Sequence, residues 1–168
     1  VLALKGETTE EESFETVVDC DIDAFIPDGY IKNEYLKLDV YKRISAIENE
    51  EEYMDMQDEL IDRFGDIPRP VENLLKVAEL KATAHRAYVT EVAVNRQEIR
   101  MELYPKAKLD VSGIPGLIGE YKNALRFVQG EKPIMFYQDK RNKNKDCGPM
   151  MEKAREILER LAVSYTHL

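Results

Sequence analysis

Asp19, Asp21 and Asp23 recur at every second position, the spacing at which a calcium loop places its first carboxylate ligands. The rest of such a loop fails. Ala24 stands where glycine must make the sharp turn, and Tyr30 where a bidentate glutamate must close the shell. The three acids read instead as the solvent face of a half-buried strand, because Val18, Cys20, Ile22, Ala24 and Ile26 alternate with them. Gly113, Gly116 and Gly119 form a G-x-x-G-x-x-G run. A phosphate cradle needs G-x-x-x-x-G-K-[ST], and a dinucleotide loop needs G-x-G-x-x-G after a strand; the chain has neither. Ile114 and Pro115 add no positive charge that could clamp a nucleic-acid backbone, so the run reads as a tight approach to a short helix.

Nucleophilic and metal chemistry find equally little support. His85 and His167 are the two histidines, and no carboxylate or cysteine sits at helical spacing from His85 to make an acid–base or metal pair. Cys20 and Cys147 show no CxxC spacing and read as free thiols of a cytoplasmic protein. No catalytic residue, metal site or cofactor is expected. Lys140, Arg141, Lys143 and Lys145 form the one basic cluster, in a polar loop that suits a solvated surface, an acidic partner or a nucleic-acid backbone.

The most informative stretch is Asp58-Glu59-Leu60-Ile61-Asp62-Arg63-Phe64-Gly65, followed by Asp66-Ile67-Pro68-Arg69-Pro70-Val71. In a helix, Leu60, Ile61 and Phe64 are expected to share the buried side, while Glu59, Asp62 and Arg63 project outward. Glu59 and Arg63 are four apart and suit an intrahelical ion pair worth a few tenths of a kcal/mol. A charged surface of this kind also suits a specific polar docking interface.

The elements that must hold this stretch can be read along the chain of 168 residues. Residues 1–17 read as an acidic linker, with Glu7, Glu10, Glu11, Glu12 and Glu15 and little to bury. The chain begins at Val1 rather than Met, which reads as a piece of a longer protein. A strand from Val18 ends at Pro27-Asp28-Gly29. A first helix begins near Asn33 and carries Leu36, Val40, Ile44 and Ile47 on one stripe. A second runs from about Glu50 to Phe64, with acids in its first turn and Gly65 after its end. A third opens at Pro70 and is apolar on two sides, which places it between the first two helices and a sheet.

Beyond Tyr88 the period falls to two. Val92 and Val94 and then Ile99, Met101 and Leu103 make a hairpin around Asn95-Arg96-Gln97. A short helix from Ser112 to about Asn123, strands near Leu125–Gln129 and Ile134–Gln138, and a last helix from about Pro149 to Leu161 complete a body spanning 18–162. Residues 163–168 read as an unstructured tail. The order predicts an α+β fold, N-terminal helices followed by two β-hairpins interleaved with helices, in one compact domain. The formal net charge of −9 disfavours a free-standing nucleic-acid binder.

The Glu59–Gly65 segment with Pro68, Pro70, Val71, Leu74 and Leu75 resembles the C-terminal domain of the bacterial transcription-repair coupling factors, the Mfd or TRCF family. Asp23-Ala24-Phe25-Ile26-Pro27-Asp28-Gly29-Tyr30-Ile31 is similar to the opening strand and turn of that domain. Leu38–Ile44, with Tyr41-Lys42-Arg43, is similar to its first helix. The resemblance covers roughly residues 20–162, is strong through Leu80 and weakens in the hairpins, notably at Gln129 and Gly130.

The resemblance implies a non-catalytic regulatory domain of an ATP-driven DNA translocase that dislodges stalled RNA polymerase and recruits the excision-repair protein UvrA. It implies docking on the UvrB-like module of the same parent chain, which masks the UvrA-binding surface and restrains the motor. Carried over by position, Glu59 is the leading contact with that module, with Asp62 and Arg63 beside it. The acidic charge and the lack of a long apolar window predict no direct nucleic-acid contact and no membrane span. The alternative from the residues alone is an accessory nucleic-acid-binding domain using the 140–145 basic loop.

Overall fold

A computed structural model describes residues 14–106, 111–143 and 146–166. The chain folds as α+β around a five-stranded mixed sheet of order β1-β2-β3-β5-β4. Strand β1 is Val17–Cys20 and pairs in parallel with β2, Val89–Val94. Helices α1 (Glu34–Ser45), α2 (Glu50–Phe64) and α3 (Arg69–Arg86) fill the crossover between them. β2 then hairpins into β3, Glu98–Leu103, with Asn95 Oδ1 accepting from the Gln97 and Glu98 amides in the turn. A 3₁₀ turn, Val111–Gly113, leads into α4, Ile114–Glu120. The antiparallel pair β4 (Leu125–Val128) and β5 (Ile134–Gln138) and the last helix α5 (Gly148–Thr166) follow.

Alternation fixes which face of the sheet is covered. Val92, Val94, Ile99, Met101, Leu103, Leu125, Met135 and Tyr137 point to one side. There they pack with Leu80 and Ala84 of α3 and Ala154, Ile157, Leu158 and Leu161 of α5. The register runs this apolar row across the strands: Met101 faces Val92 and Met135, and Tyr137 faces Ile99 and Leu125. A second cluster joins Ile26, Ile31, Val40, Ile44, Ile47, Met56, Leu60, Val71, Leu75 and Ala78. Thus α3 supplies its N-terminal half to one core and its C-terminal half to the other, the central position its two apolar stripes predict.

Several expectations need correcting. The opening strand is shorter than the alternation from Val18 to Ile26, because its partner β2 ends at Val94; Ile22 N–H bonds back to Cys20 and Ile26 joins the second core. Helix α3 opens one residue early, with Pro68 as its cap, Arg69 first and Pro70 second. The short helix stops at Glu120 because Lys122 and Asn123 take positive φ values of 52° and 68°. Helix α5 continues past Leu161 to Thr166, so the first residues of the expected tail are helical. At the other end, the linker's last residues are packed. Thr16 is buried and donates to the Val89 carbonyl at 2.8 Å, and the Phe14 ring stacks on His85 at 4.5 Å. The rest of the acidic linker, 1–13, lies outside the described residues, as does Lys145 of the basic loop.

Candidate functional site

Helix α2 carries the candidate face, and its start is fixed locally. Asn49 Oδ1 accepts from the Glu52 amide at 2.8 Å, and Glu52 reaches back to the Glu48 amide at 2.8 Å. Two opposed side-chain bonds of this kind satisfy donors that the first turn leaves free, and the acids Glu50–Glu52 suit the positive end of the dipole. Met56 and Leu60 drop into the core one turn apart, Leu60 with no exposure at all. Asp62 and Arg63 are exposed, as expected from the sequence, whereas Glu59 is half-buried on the flank of the helix beside α1.

The structure brings Glu59 and Arg63 together and adds a residue from the next helix. Arg63 Nη1 donates to Glu59 Oε2 at 3.2 Å, the predicted i,i+4 pair. Arg43 of α1 also grips the carboxylate with both terminal nitrogens, Nη2 to Oε1 at 2.6 Å and Nη1 to Oε2. The hydrogen bonds from Arg43, with Arg63 assisting, hold the Glu59 carboxyl below its usual range. The same bond raises the Arg43 guanidinium above its usual range. Arg63 is further pinned over the Phe64 ring, 5.0 Å from its centre. Asp62 is exposed and, among the described residues, makes no hydrogen bond or ion pair.

Ile61 is the site's clearest departure from expectation. It is 48% exposed rather than buried beside Leu60. Successive helix positions are about 100° apart, so a narrow seam that takes Leu60 leaves Ile61 at its margin. Phe64 is half-buried and meets the Tyr30 ring at 5.7 Å. The Tyr30 hydroxyl lies 3.2 Å from the Leu60 carbonyl and 3.1 Å from that of Gly65, so it can serve acceptors that the helix end leaves unused. Gly65 itself has φ 87° and ψ −162°, a conformation essentially restricted to glycine.

The segment 23–26 is tied to the start of α3 and to α1. Phe25 N–H bonds to the Pro70 carbonyl at 3.3 Å, Asn73 Nδ2 to that of Asp23 at 2.9 Å, and Ile26 N–H to the Tyr41 hydroxyl at 2.7 Å. Sequence reasoning missed Arg43, Tyr30 and Ile61 as parts of the face. Arg43 is sixteen residues from Glu59 and reaches it only once α1 and α2 pack. Among the described residues, no three histidines, cysteines or acids gather as metal ligands, and no helix is long and apolar enough to cross a membrane. Asp19, Asp21 and Asp23 are exposed, and His85 contacts the Phe14 carbonyl at 3.1 Å.

Comparison with known proteins identifies the family of the chain. A transcription-repair-coupling factor of Bacillus subtilis (strain 168) is 38% identical over 109 residues, 65% of this chain and 9% of that protein. One from Staphylococcus haemolyticus (strain JCSC1435) is 38% identical over 104 residues, 62% of this chain and 9% of that protein. The chain therefore spans about a tenth of the length of these relatives. A crystal structure of the C-terminal domain of transcription-repair coupling factor superposes with TM-score 0.69. It covers 92% of this chain and 95% of that one at 23% identity, a likeness of fold. The TRCF domain family matches residues 20–114, more than half of the sequence and the whole of the Glu59 face, and the chain belongs to that family.

Proposed function

We propose that this TRCF domain is a non-catalytic docking module that restrains a longer parent protein. The face bearing Glu59, Asp62 and Arg63 presses on the UvrB-like module of the same parent and hides its UvrA-binding surface. Release accompanies engagement of the motor with stalled RNA polymerase. The observation that carries this reading is the composition of the face. An open carboxylate, Asp62, and an exposed apolar side chain, Ile61, lie beside a guanidinium-locked carboxylate on one rigid helix. A fixed apolar contact next to an unsatisfied acceptor suits a partner that offers an arginine or lysine beside an apolar patch.

The energetics favour a reversible contact. Rim charges give register and specificity more than raw affinity, so docking of this kind can be undone by a competing engagement of the motor. The test is UvrA binding by the full parent carrying Asp62→Lys. Like charge placed against a basic partner costs docking on the order of several kcal/mol and raises UvrA affinity. Unchanged UvrA binding by Asp62→Lys and by Ile61→Asp together would place the docking face elsewhere.

A further inference from the structure

The face of the sheet opposite the helices holds a second surface. Outward-pointing residues there include Arg100, Phe136 and Arg126, neighbours across β3, β5 and β4. The Arg126 guanidinium lies over the Phe136 ring, 4.9 Å from its centre. Beside them is a cleft of about 540 Å³, walled by Lys122–Ala124, Arg126 and Phe136 and by Gln138–Arg141.

Four cations, Lys122, Arg126, Lys140 and Arg141, and one acid, Asp139, line it. Acids outnumber bases in the chain by 33 to 24, and several cations elsewhere, Arg43, Arg69, Arg100, Arg155, Lys37 and Lys132 among them, sit in ion pairs. Among the described residues, none of the four cleft cations has such a partner. The one cleft carboxylate, Asp139, accepts from the Arg141 backbone amide at 3.1 Å. Four cations against one acid leave this cleft with a local excess of positive charge in an acidic chain.

The second observation is backbone. β4 is an edge of the sheet. Gln138 N–H bonds to the Ala124 carbonyl, which sets the antiparallel phase. Alternation then commits Arg126 and Val128 to the β5 ladder and turns the N–H and C=O of Leu125 and Phe127 outward. Such an edge is a template for a further strand.

We propose that the β4 edge and its cationic cleft bind an extended acidic segment of a partner protein. The segment adds a sixth strand, with carboxylates on alternate residues meeting Arg126 and the cleft cations. Backbone bonds to Leu125 and Phe127 supply affinity, and charge sets the sign of the accepted side chains. This surface is independent of the Glu59 face, so either proposal can fail alone.

The experiment uses the 168-residue chain and a fluorescein-labelled dodecapeptide of alternating Glu and Val, with a Lys–Val peptide and oligothymidylate as competing probes. Saturable anisotropy with the Glu–Val peptide is expected, weakening with salt and falling about tenfold or more in Arg126→Glu/Lys140→Glu. Both substituted residues are exposed, so the variant's melting temperature should match the parent chain's. Bound peptide should slow hydrogen exchange at the Leu125 and Phe127 amides. Three results would overturn the proposal: no saturation at millimolar peptide, equal binding by the charge-reversed variant, or tighter binding of oligothymidylate.

Discussion

Removing the Arg43–Glu59 contact tests whether the candidate face also holds the domain together. The pair is bidentate, which is the favourable geometry for an arginine and a carboxylate. It is also half in solvent: the side chains are 41% and 32% exposed. Exposed pairs give about 0.2–1 kcal/mol in double-mutant cycles, and fixed bidentate geometry argues for the upper part of that range. Arg63 adds an i,i+4 contact worth about 0.3–0.5 kcal/mol. Glu59→Ala should therefore cost about 1 kcal/mol, more than an isolated surface pair, because the carboxylate joins two helices. Glu59→Lys sets a third cation between two guanidiniums and should cost about 1.5–2 kcal/mol, or roughly 3–8 °C of melting temperature in a domain of this size.

The assay is thermal and urea unfolding of wild type, Glu59→Gln, Arg43→Gln and the double variant. A coupling energy of about 0.5–1 kcal/mol is expected. The pH dependence has a definite sign. The folded carboxyl titrates below its unfolded value, so the stabilisation is complete above the ordinary glutamate range and is lost as pH falls through the lower folded value. The wild-type advantage over Glu59→Gln should thus vanish in acid. Zero coupling at neutral pH, or an advantage that grows as pH falls, would refute the reasoning.

Leu60→Ala should destabilise by about 2–5 kcal/mol, since the side chain is wholly buried, whereas half-buried Phe64→Ala should fall toward the low end of that range; chemical denaturation ranks the two. Gly65→Ala meets no atom within 4 Å, so its expected cost of about 1–3 kcal/mol comes from backbone strain alone, and a near-neutral melt would contradict it. Burial pushes the Cys20 thiol up to about 12, so alkylation of the native chain at pH 8 should be far slower at Cys20 than in the unfolded chain, as read by mass spectrometry.

Local chemistry was legible where local rules decide. Asn33 caps α1, its Oδ1 accepting from Tyr35 and Leu36, and α2 runs from Glu50 to Phe64 with Gly65 after it, as the acids and the glycine require. What failed depended on partners. Alternation past Cys20 continues in the sequence, but a strand needs a neighbour, and β2 offers none beyond Val94. Ile61 shares hydrophobicity with Leu60, and only the narrow contact of α2 with α1 and α3 decides which of them is covered. The grip of Arg43 on Glu59 is tertiary, so no spacing rule within one helix could find it. The β4 edge and its unpaired cations arise from strand order, which short strands do not encode locally.

The geometry also alters which residue of the face can report on docking. A carboxylate offers about four acceptor positions. At Glu59 one oxygen takes Arg43, and the other takes both Arg43 and Arg63, so three are filled within the domain. With its two arginines the group carries a net positive charge, and an incoming cation meets it already neutralised. Glu59 therefore acts chiefly by holding α1, α2 and the Arg63 side chain in register. In the proposed docking, Asp62 is the free negative charge and Ile61 the apolar contact, since both side chains are exposed. A docking defect from Glu59→Lys alone is ambiguous, because the same change strains the seam between the helices. A defect from Asp62→Lys with unaltered melting has one physical reading, loss of the contact across the interface.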